Sequence, residues 1–429
     1  MKKYDNYKDS GIEWIGEIPE HWDRIRIKSL VAIKVTDGPH ETPQWIENGV
    51  PFISAEAIKG NKIDLDFKRG YISTEQHLEY CKKSKVLKND ILFCKSGSTT
   101  GKSALVDTDV DFGIWSPLAI IRADKNKIDY KYLFQSIQSS LFQNQVETAW
   151  TFGTQPNIGM GALENLWIAI PTLEEQQSIA NYLDHKTTQI DTLIAKKEQF
   201  ISLLQEERTA VINQAVTKGL DPNVKMKDSG IEWLGEIPEH WEVKKLAFEF
   251  NTLNTKRVPL SAEERGKMES RIYDYYGASG VIDKVENYIF DEELILIGED
   301  GANLLTRTKR LAFIASGRYW VNNHAHIIKP INGNIYYFCE LLELIDYTIY
   351  ISGSAQPKLT QEALMSIKIP VPPISEQNKI FDYLKDEFNK IDTIISKSQQ
   401  EIELLKEYKT ALISEVVTGK VDVRDVILN

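Results

Sequence analysis

The sequence predicts a mixed α/β protein: two α+β bodies joined by two long antiparallel coiled-coil helices, the whole arrangement duplicated within one chain of 429 residues. Three observations lead there. A short segment rich in tryptophan occurs twice. A longer segment with heptad-spaced apolar residues also occurs twice. Between these repeats lie stretches with apolar runs of strand length bounded by turn residues.

The short repeat reads KDSGIEWIGEIPEHWD from Lys8 to Asp23 and KDSGIEWLGEIPEHWE from Lys227 to Glu242, with fourteen of sixteen positions identical. Its tryptophans Trp14, Trp22, Trp233 and Trp241 are expected to anchor the segment onto each domain. The long repeat runs from Ile170 to Asp221 and from Val371 to Asp422. The pairs Gln155-Pro156 and Gln356-Pro357 keep its offset of 201, whereas the short repeat has an offset of 219, so the second body is 18 residues shorter.

The long repeats read as helices. Leu183, Ile190, Leu204 and Val211 keep a seven-residue step interrupted at Lys197; Leu384, Ile391, Leu405 and Leu412 keep it with Ser398 in the gap. Leu193 with Ile194, Phe200 with Ile201, Ile394 with Ile395, and Ile402 fill out the stripes. A seven-residue period favours a left-handed coiled coil. Pro171 and Pro372-Pro373 mark the starts, and the glycines of TKG and TGK suit the left-handed cap at the ends. Each helix is expected to span about 40–45 residues, roughly 60–65 Å. Matching stripes most simply pair with each other, antiparallel; packing of each helix on its own body is the alternative. The expected boundaries are a first body at 1–168, a central helical spacer at 169–220, a second body at 221–369 and a C-terminal helical spacer at 370–429.

Within the bodies, residues 50–58, 90–97 and 118–124, then 293–301, 310–316 and 325–330, read as strands. Residues 129–146 and 335–350 read as helices. Composition is ordinary for a globular protein, 42% hydrophobic and 26% charged. No run of eighteen apolar residues occurs and no apolar stretch follows the N-terminal lysines, so a cytoplasmic protein is expected. Cys81, Cys94 and Cys339 lack metal-ligand spacing and read as reduced thiols. The net charge is −11, yet residues 23–168 carry +1 and 243–368 carry −1. Near-neutral bodies in an acidic framework permit a local positive face for a polyanion.

SGSTTGKS, from Ser96 to Ser103, ends like a phosphate-binding loop, but Ser96 stands where that motif needs glycine. The corresponding stretch GEDGANLLTRTKR has no Gly-Lys pair. A glycine-rich turn presenting Thr99, Thr100 and Lys102 to a ligand backbone is the favoured reading. TDGPHETPQW contributes Asp37, His40 and Thr42 in a polar turn. Lys82, Lys83, Lys85 and Lys88 in the first body, and Arg307, Lys309 and Arg310 in the second, are clusters suited to phosphates. The pair His324 and His326 lacks a third ligand, and no metal is expected. No catalytic set recurs in both halves, which points away from an enzyme. A framework kept alike around bodies that differ suits a scaffold presenting two different readers.

The repeated GIEWIGEIPEHW, the helix starts IPTLEEQQSIANYL and VPPISEQNKIFDYL, and DGPHETPQWIENGVPFISAEAI resemble the specificity subunit of Type I restriction-modification enzymes across essentially the whole chain. The resemblance implies two target-recognition domains, each reading half of a split, asymmetric double-stranded DNA site. It implies two copies of a methyltransferase (modification) subunit as partners, with motor-nuclease (restriction) subunits in the full complex. S-adenosylmethionine and ATP would belong to those partners, so no cofactor is expected here. The residues expected to contact DNA are Asp37, His40, Thr42, Lys82, Lys83, Lys85, Lys95, Thr99, Thr100, Lys102, Gln155 and Asn157 in the first half. In the second they are Arg307, Lys309, Arg310, Gln356 and Lys358. Asparagine or glutamine would read adenine, arginine or lysine guanine. The alternatives are a nucleotide-hydrolysing P-loop enzyme and a coiled-coil adaptor that binds no nucleic acid.

Overall fold

In a computed structural model, residues 2–152, 155–353 and 356–427 are described. The helical repeats form a central helix, Leu173–Lys218, and a C-terminal helix, Ile374–Val417, of 46 and 44 residues. The chain divides into two compact units, Met1–Glu198 with Gln399–Asn429, and Gln199–Ser398. Each unit therefore holds one body, the start of one long helix and the end of the other.

In the first unit the helices run antiparallel, because Asp191 pairs with Lys409 at 2.7 Å while Lys197, further along, pairs with the earlier Glu401. Ile179, Leu183 and Ile190 share a core with Leu412, Ile413 and Val416. In the second unit Arg208 meets Asp392 at 2.6 Å, and Ala215 and Val216 share a core with Ile380 and Leu384. Both sequence readings of the stripes are thus realised: the helices pair, and their ends also pack on the body. Leu193, Phe200 and Ile394, expected in the stripe, are instead exposed, at 44%, 45% and 41%. They lie on the flank of a seam too narrow to cover them.

The short repeat closes these helix ends. In the first unit Trp22 is fully buried, and its indole N–H donates to Glu175, in the first turn of the central helix, at 3.1 Å. Glu175 also accepts from the Tyr4 hydroxyl at 2.6 Å and faces His21 at 2.9 Å. Gly419, past the end of the C-terminal helix, has φ +72°, and a Cβ there would strike Pro19 at 2.3 Å. In the second unit Trp241 is equally buried, His240 faces Glu376 of the C-terminal helix at 2.8 Å, and Gly219 ends the central helix at φ +75°. Lys420 donates to the Glu17 carbonyl, as Lys218 does to that of Glu236. Trp14 departs from the expectation: it is 39% exposed, with Ile15 buried in its place.

From the strap the chain enters its body along Asp23–Arg26, which pairs antiparallel with the exit strand Trp167–Ile170. Glu242–Lys245 and Lys368–Val371 do the same in the second unit. Each body is consequently a loop inserted between two adjacent strands. Its main sheet is antiparallel, in spatial order Ser103–Leu105, Ile91–Cys94, Leu118–Ile121, Thr36–Asp37. The second body repeats the order with Ala312–Ala315, Leu294–Gly298, Ala325–Pro330, Phe250–Thr252. Ile91, Phe93, Ala119 and Ile121 face the helical core; Leu92, Cys94, Leu118 and Ile120 face a second core with Ile53, Ile58 and Ile114. Covering on both faces explains why ILFC and LAII are unbroken apolar runs. The stretch expected as one helix at 129–146 is two, Tyr130–Gln138 and Ser140–Thr148, because Ser139 caps the second through the Phe142 N–H. The strand expected over 50–58 ends at Ile53, where Ala55–Ala57 turns as a 3-10 helix.

Replacing Trp22 with alanine empties a fully enclosed site and should cost about 3–5 kcal/mol in chemical denaturation. Trp14→Ala, on the same strap, should stay within about 0.5–1 kcal/mol.

Candidate nucleic-acid interface

In both bodies the inner strand of the main sheet ends in a loop that carries the candidate residues. In the first, Lys95 follows strand Ile91–Cys94, and residues 96–102 return directly into strand Ser103–Leu105, antiparallel to the first. The segment is a hairpin. A phosphate-binding loop instead ends at a helix N-terminus, whose N–H groups hold the phosphates. SGSTTGKS has no such helix, so the nucleotide-hydrolysing alternative loses its geometry.

The Gln-Pro segments dock onto these loops. Gly97 N–H donates to the Pro156 carbonyl at 3.0 Å, Ile158 N–H to that of Lys95 at 2.8 Å, and Ser96 bridges Asn157. Thr100 turns its hydroxyl inward, onto the carbonyls of Gly97 (2.7 Å) and Pro156 (3.1 Å). In the second body Gly301 N–H donates to Pro357 at 3.2 Å, Leu359 N–H to Glu299 at 2.8 Å, and Asp300 bridges Lys358. Lys95 and Glu299 are therefore equivalent, as are Asn157 and Lys358. Gln155, Gln356 and Lys102 are exposed beside them, with Thr99 half-buried.

Behind each loop lies a buried carboxylate. Asp37 is 1% exposed and receives Lys83 at 2.6 Å, Lys95 at 3.2 Å and His40 at 3.1 Å. Burial pushes its carboxyl up, but hydrogen bonds from Lys83 and Lys95 outweigh that, so its pKa lies below the ordinary aspartate value. The structure thus gathers Asp37, His40, Lys83 and Lys95 into one group, with Asp37 as its structural centre rather than a free acceptor. In the second body Glu299 is the buried carboxylate. Arg257 and Lys358 (3.2 Å) hold it, and its pKa is lowered in the same way, burial opposing and the Arg257 hydrogen bond prevailing. His326, buried nearby, has its pKa lowered by desolvation; its Nε2 donates to the Leu359 carbonyl and its Nδ1 accepts from Asn254. His324 instead faces Asp300, so the two histidines do not converge. No group of His, Cys, Asp or Glu among the described residues could hold a metal.

Other candidates are dispersed. Thr42 is exposed in the loop after His40, and Lys82 pairs with Glu79. Lys85 sits beside Arg122 and Asp90, at the opposite end of strand Ile91–Cys94 from Lys95. Arg307 caps the helix Ile335–Leu344 through the carbonyls of Glu343 and Ile345, and Arg310 pairs with Glu340 at 2.9 Å. Only Lys309 of that trio is exposed and without an ion pair among the described residues. Arg257 and Glu299 had no motif to mark them; the one signal was position, since Glu299 follows its strand as Lys95 follows its own.

Cys81 lies 3.3 Å from His77 Nε2, which also meets Asp111 at 3.1 Å. Both partners use one ring nitrogen, and burial raises the thiol pKa, so this is no relay for a nucleophile.

A protein-family model described as the Type I restriction modification DNA specificity domain matches residues 19–202 and 238–404. The putative type I restriction enzyme MjaX specificity subunit of Methanocaldococcus jannaschii is 29% identical over 98% of each chain. The EcoKI specificity subunit of Escherichia coli is 26% identical over 58% of this chain and 52% of its own. Among solved structures, a chain from work on complex assembly and conformational transition of the type I R-M system covers 94% of this chain and 99% of its own, with TM-score 0.66 and 15% identity. The HsdS subunit from Thermoanaerobacter tengcongensis covers 94% and 98%, with TM-score 0.52 and 16% identity.

The depressed Asp37 pKa fixes the sign of a pH effect. Its contribution is present above the unfolded carboxyl pKa and is lost as pH falls through the lower folded value. Asp37→Asn should therefore destabilise the protein strongly at pH 7, by about 3–5 kcal/mol, and progressively less toward pH 3, as read from denaturant midpoints.

Proposed function

The chain belongs to the Type I restriction-modification DNA specificity family, and from that premise we propose how it works. It is the DNA-specificity subunit of such a complex, and it reads a bipartite, asymmetric site. The recognition domains are residues 1–168 and 221–369; the spacers are 169–220 and 370–429. Each body supplies phosphate contacts for registration and base-edge contacts for choice. The loops after Lys95 and Glu299, with Gln155–Asn157 and Gln356–Lys358, are the elements assigned to this, together with His40, Lys83 and Lys102.

The observation that carries the reading is the insertion of each body between two paired strands of a repeated frame. Strap, helix start and helix end follow one plan in both units, with His21 on Glu175 and His240 on Glu376, whereas the loops and the buried ion groups differ. A frame of that kind offers equivalent surfaces to two identical modification subunits while its bodies read unlike sequences. Methyl transfer, nucleotide-driven motion and cleavage belong to the partner subunits, and the chain itself is non-catalytic. S-adenosylmethionine and ATP are then ligands of the partners, and the complex acts on cytoplasmic DNA. The adaptor alternative gives no reason for two bodies of one topology to carry different polar groups at one edge.

Two experiments test this on the assembled modification complex. Exchanging residues 24–168 for the corresponding segment of a relative should change one half-site of the methylated sequence and leave the other intact. Change in both half-sites would refute independent reading. Inserting one heptad into each long helix, between 198 and 199 and between 398 and 399, adds about 10 Å of rise. It should lengthen the non-specific spacer by about three base pairs with both half-sites retained.

A further inference from the structure

We propose that Asn157 and Lys358 are equivalent base-reading positions, and that the difference between them makes the half-sites unlike: Asn157 reads an adenine in one, Lys358 a guanine in the other. This deepens the DNA-specificity reading and rests on it.

Equivalence comes from backbone geometry. Each residue follows a Gln-Pro pair and bridges the loop residue after the inner strand, Asn157 to Ser96 and Lys358 to Asp300. In each, the next residue donates its N–H to the carbonyl of the residue that follows the strand, Lys95 or Glu299. The same two positions are thus presented on the same edge of two sheets with one strand order.

The residues behind them changed in concert. In the first body the inner position is Lys95, 12% exposed and compensated by Asp37, and the outer one is the neutral Asn157. In the second the inner position is Glu299, 11% exposed, and the outer one is Lys358, 51% exposed. An outer lysine in the first body would face the buried ammonium of Lys95. In the second it faces a carboxylate that Arg257 already holds ionised. A lysine braced from behind on one donor keeps its other donors for a ligand in front, the support that an accurate reading group needs. The Asn157 amide makes no side-chain hydrogen bond to another described residue and offers both a donor and an acceptor. An amide matches N6 and N7 of adenine; an ammonium matches O6 and N7 of guanine.

Neighbouring candidates fit less well. Gln155 and Gln356 are identical in the two halves and cannot make them differ. Thr100 spends its hydroxyl on the loop, and Arg307 and Arg310 are committed to the helix Ile335–Leu344.

The test uses the complete modification complex on a duplex library randomised across both half-sites, with methylated products sequenced at two salt concentrations. Asn157→Ala should relax one adenine position in the half-site of the first body, by roughly ten- to hundredfold in discrimination. Lys358→Asn should abolish the guanine preference at one position of the other half-site, and Lys358→Arg should keep it. Uniform weakening of all sequences, with the salt slope reduced by about one, would make Lys358 a phosphate contact and overturn the proposal. So would half-sites identical to those of the unaltered complex. If the unaltered complex itself methylates without a bipartite sequence, the specificity reading fails and takes this proposal with it.

Discussion

Everything in this molecule depends on closing the ends of two long helices. An apolar stripe of this length cannot stay in water, and antiparallel pairing covers it. Pairing alone leaves helix ends free to slide by a turn. The strap prevents that by binding the start of one helix and the end of the other at once. Glu175 takes hydrogen bonds from Trp22 and Tyr4, while Pro19 and Trp22 crowd Gly419 so closely that no side chain fits there. The Tyr132 hydroxyl is shared between the carbonyls of Ala169 (2.7 Å) and Val417 (3.2 Å), and Tyr337 donates to that of Val216, so a buried phenol from each body reaches a last-turn acceptor. These contacts fix the register of each helix end against its neighbour.

With the frame closed, the bodies are free to differ. Each leaves and rejoins the frame through one antiparallel strand pair, so its contents can change wherever they do not pack on the long helices, as Phe93 and Tyr132 do. What is held constant inside is the sheet order and the two-sided burial of its central strands. What varies is the polar edge. Asp37 with Lys83 and Lys95 in one body, and Glu299 with Arg257 and Lys358 in the other, place a buried carboxylate near the same edge from different strands. A buried ion group is costly unless every member is paired. Such groups therefore hold their surface side chains in place.

Much of this was legible in the residues. The repeats, the heptad step and the terminal glycines are local or periodic signals, and they placed both helices and their antiparallel pairing. Apolar runs located the central strands for the same reason. The misreadings share a cause. Apolar residues recur at helical spacing across 129–146, from Leu133 and Ile137 to Leu141 and Val146, and nothing in that pattern shows that Ser139 will cap a second helix. Trp14 repeats as faithfully as Trp22, but repetition does not say which tryptophan faces the core. Arg307 and Arg310 look like a basic cluster until the helix beside them supplies Glu340 and Glu343.

The sequence by itself determined the duplication, the length and pairing of the helices, and the frame around two unlike bodies, because those are properties of spacing along the chain. Only the tertiary structure decided which side chains meet where the loops after the inner strands dock on the Gln-Pro segments. Lys95 lies 62 residues from Asn157, and Glu299 lies 59 from Lys358, and no period links them. They come together because strand register sets one against the other, and burial behind them selects which charges are paired inward and which stay exposed.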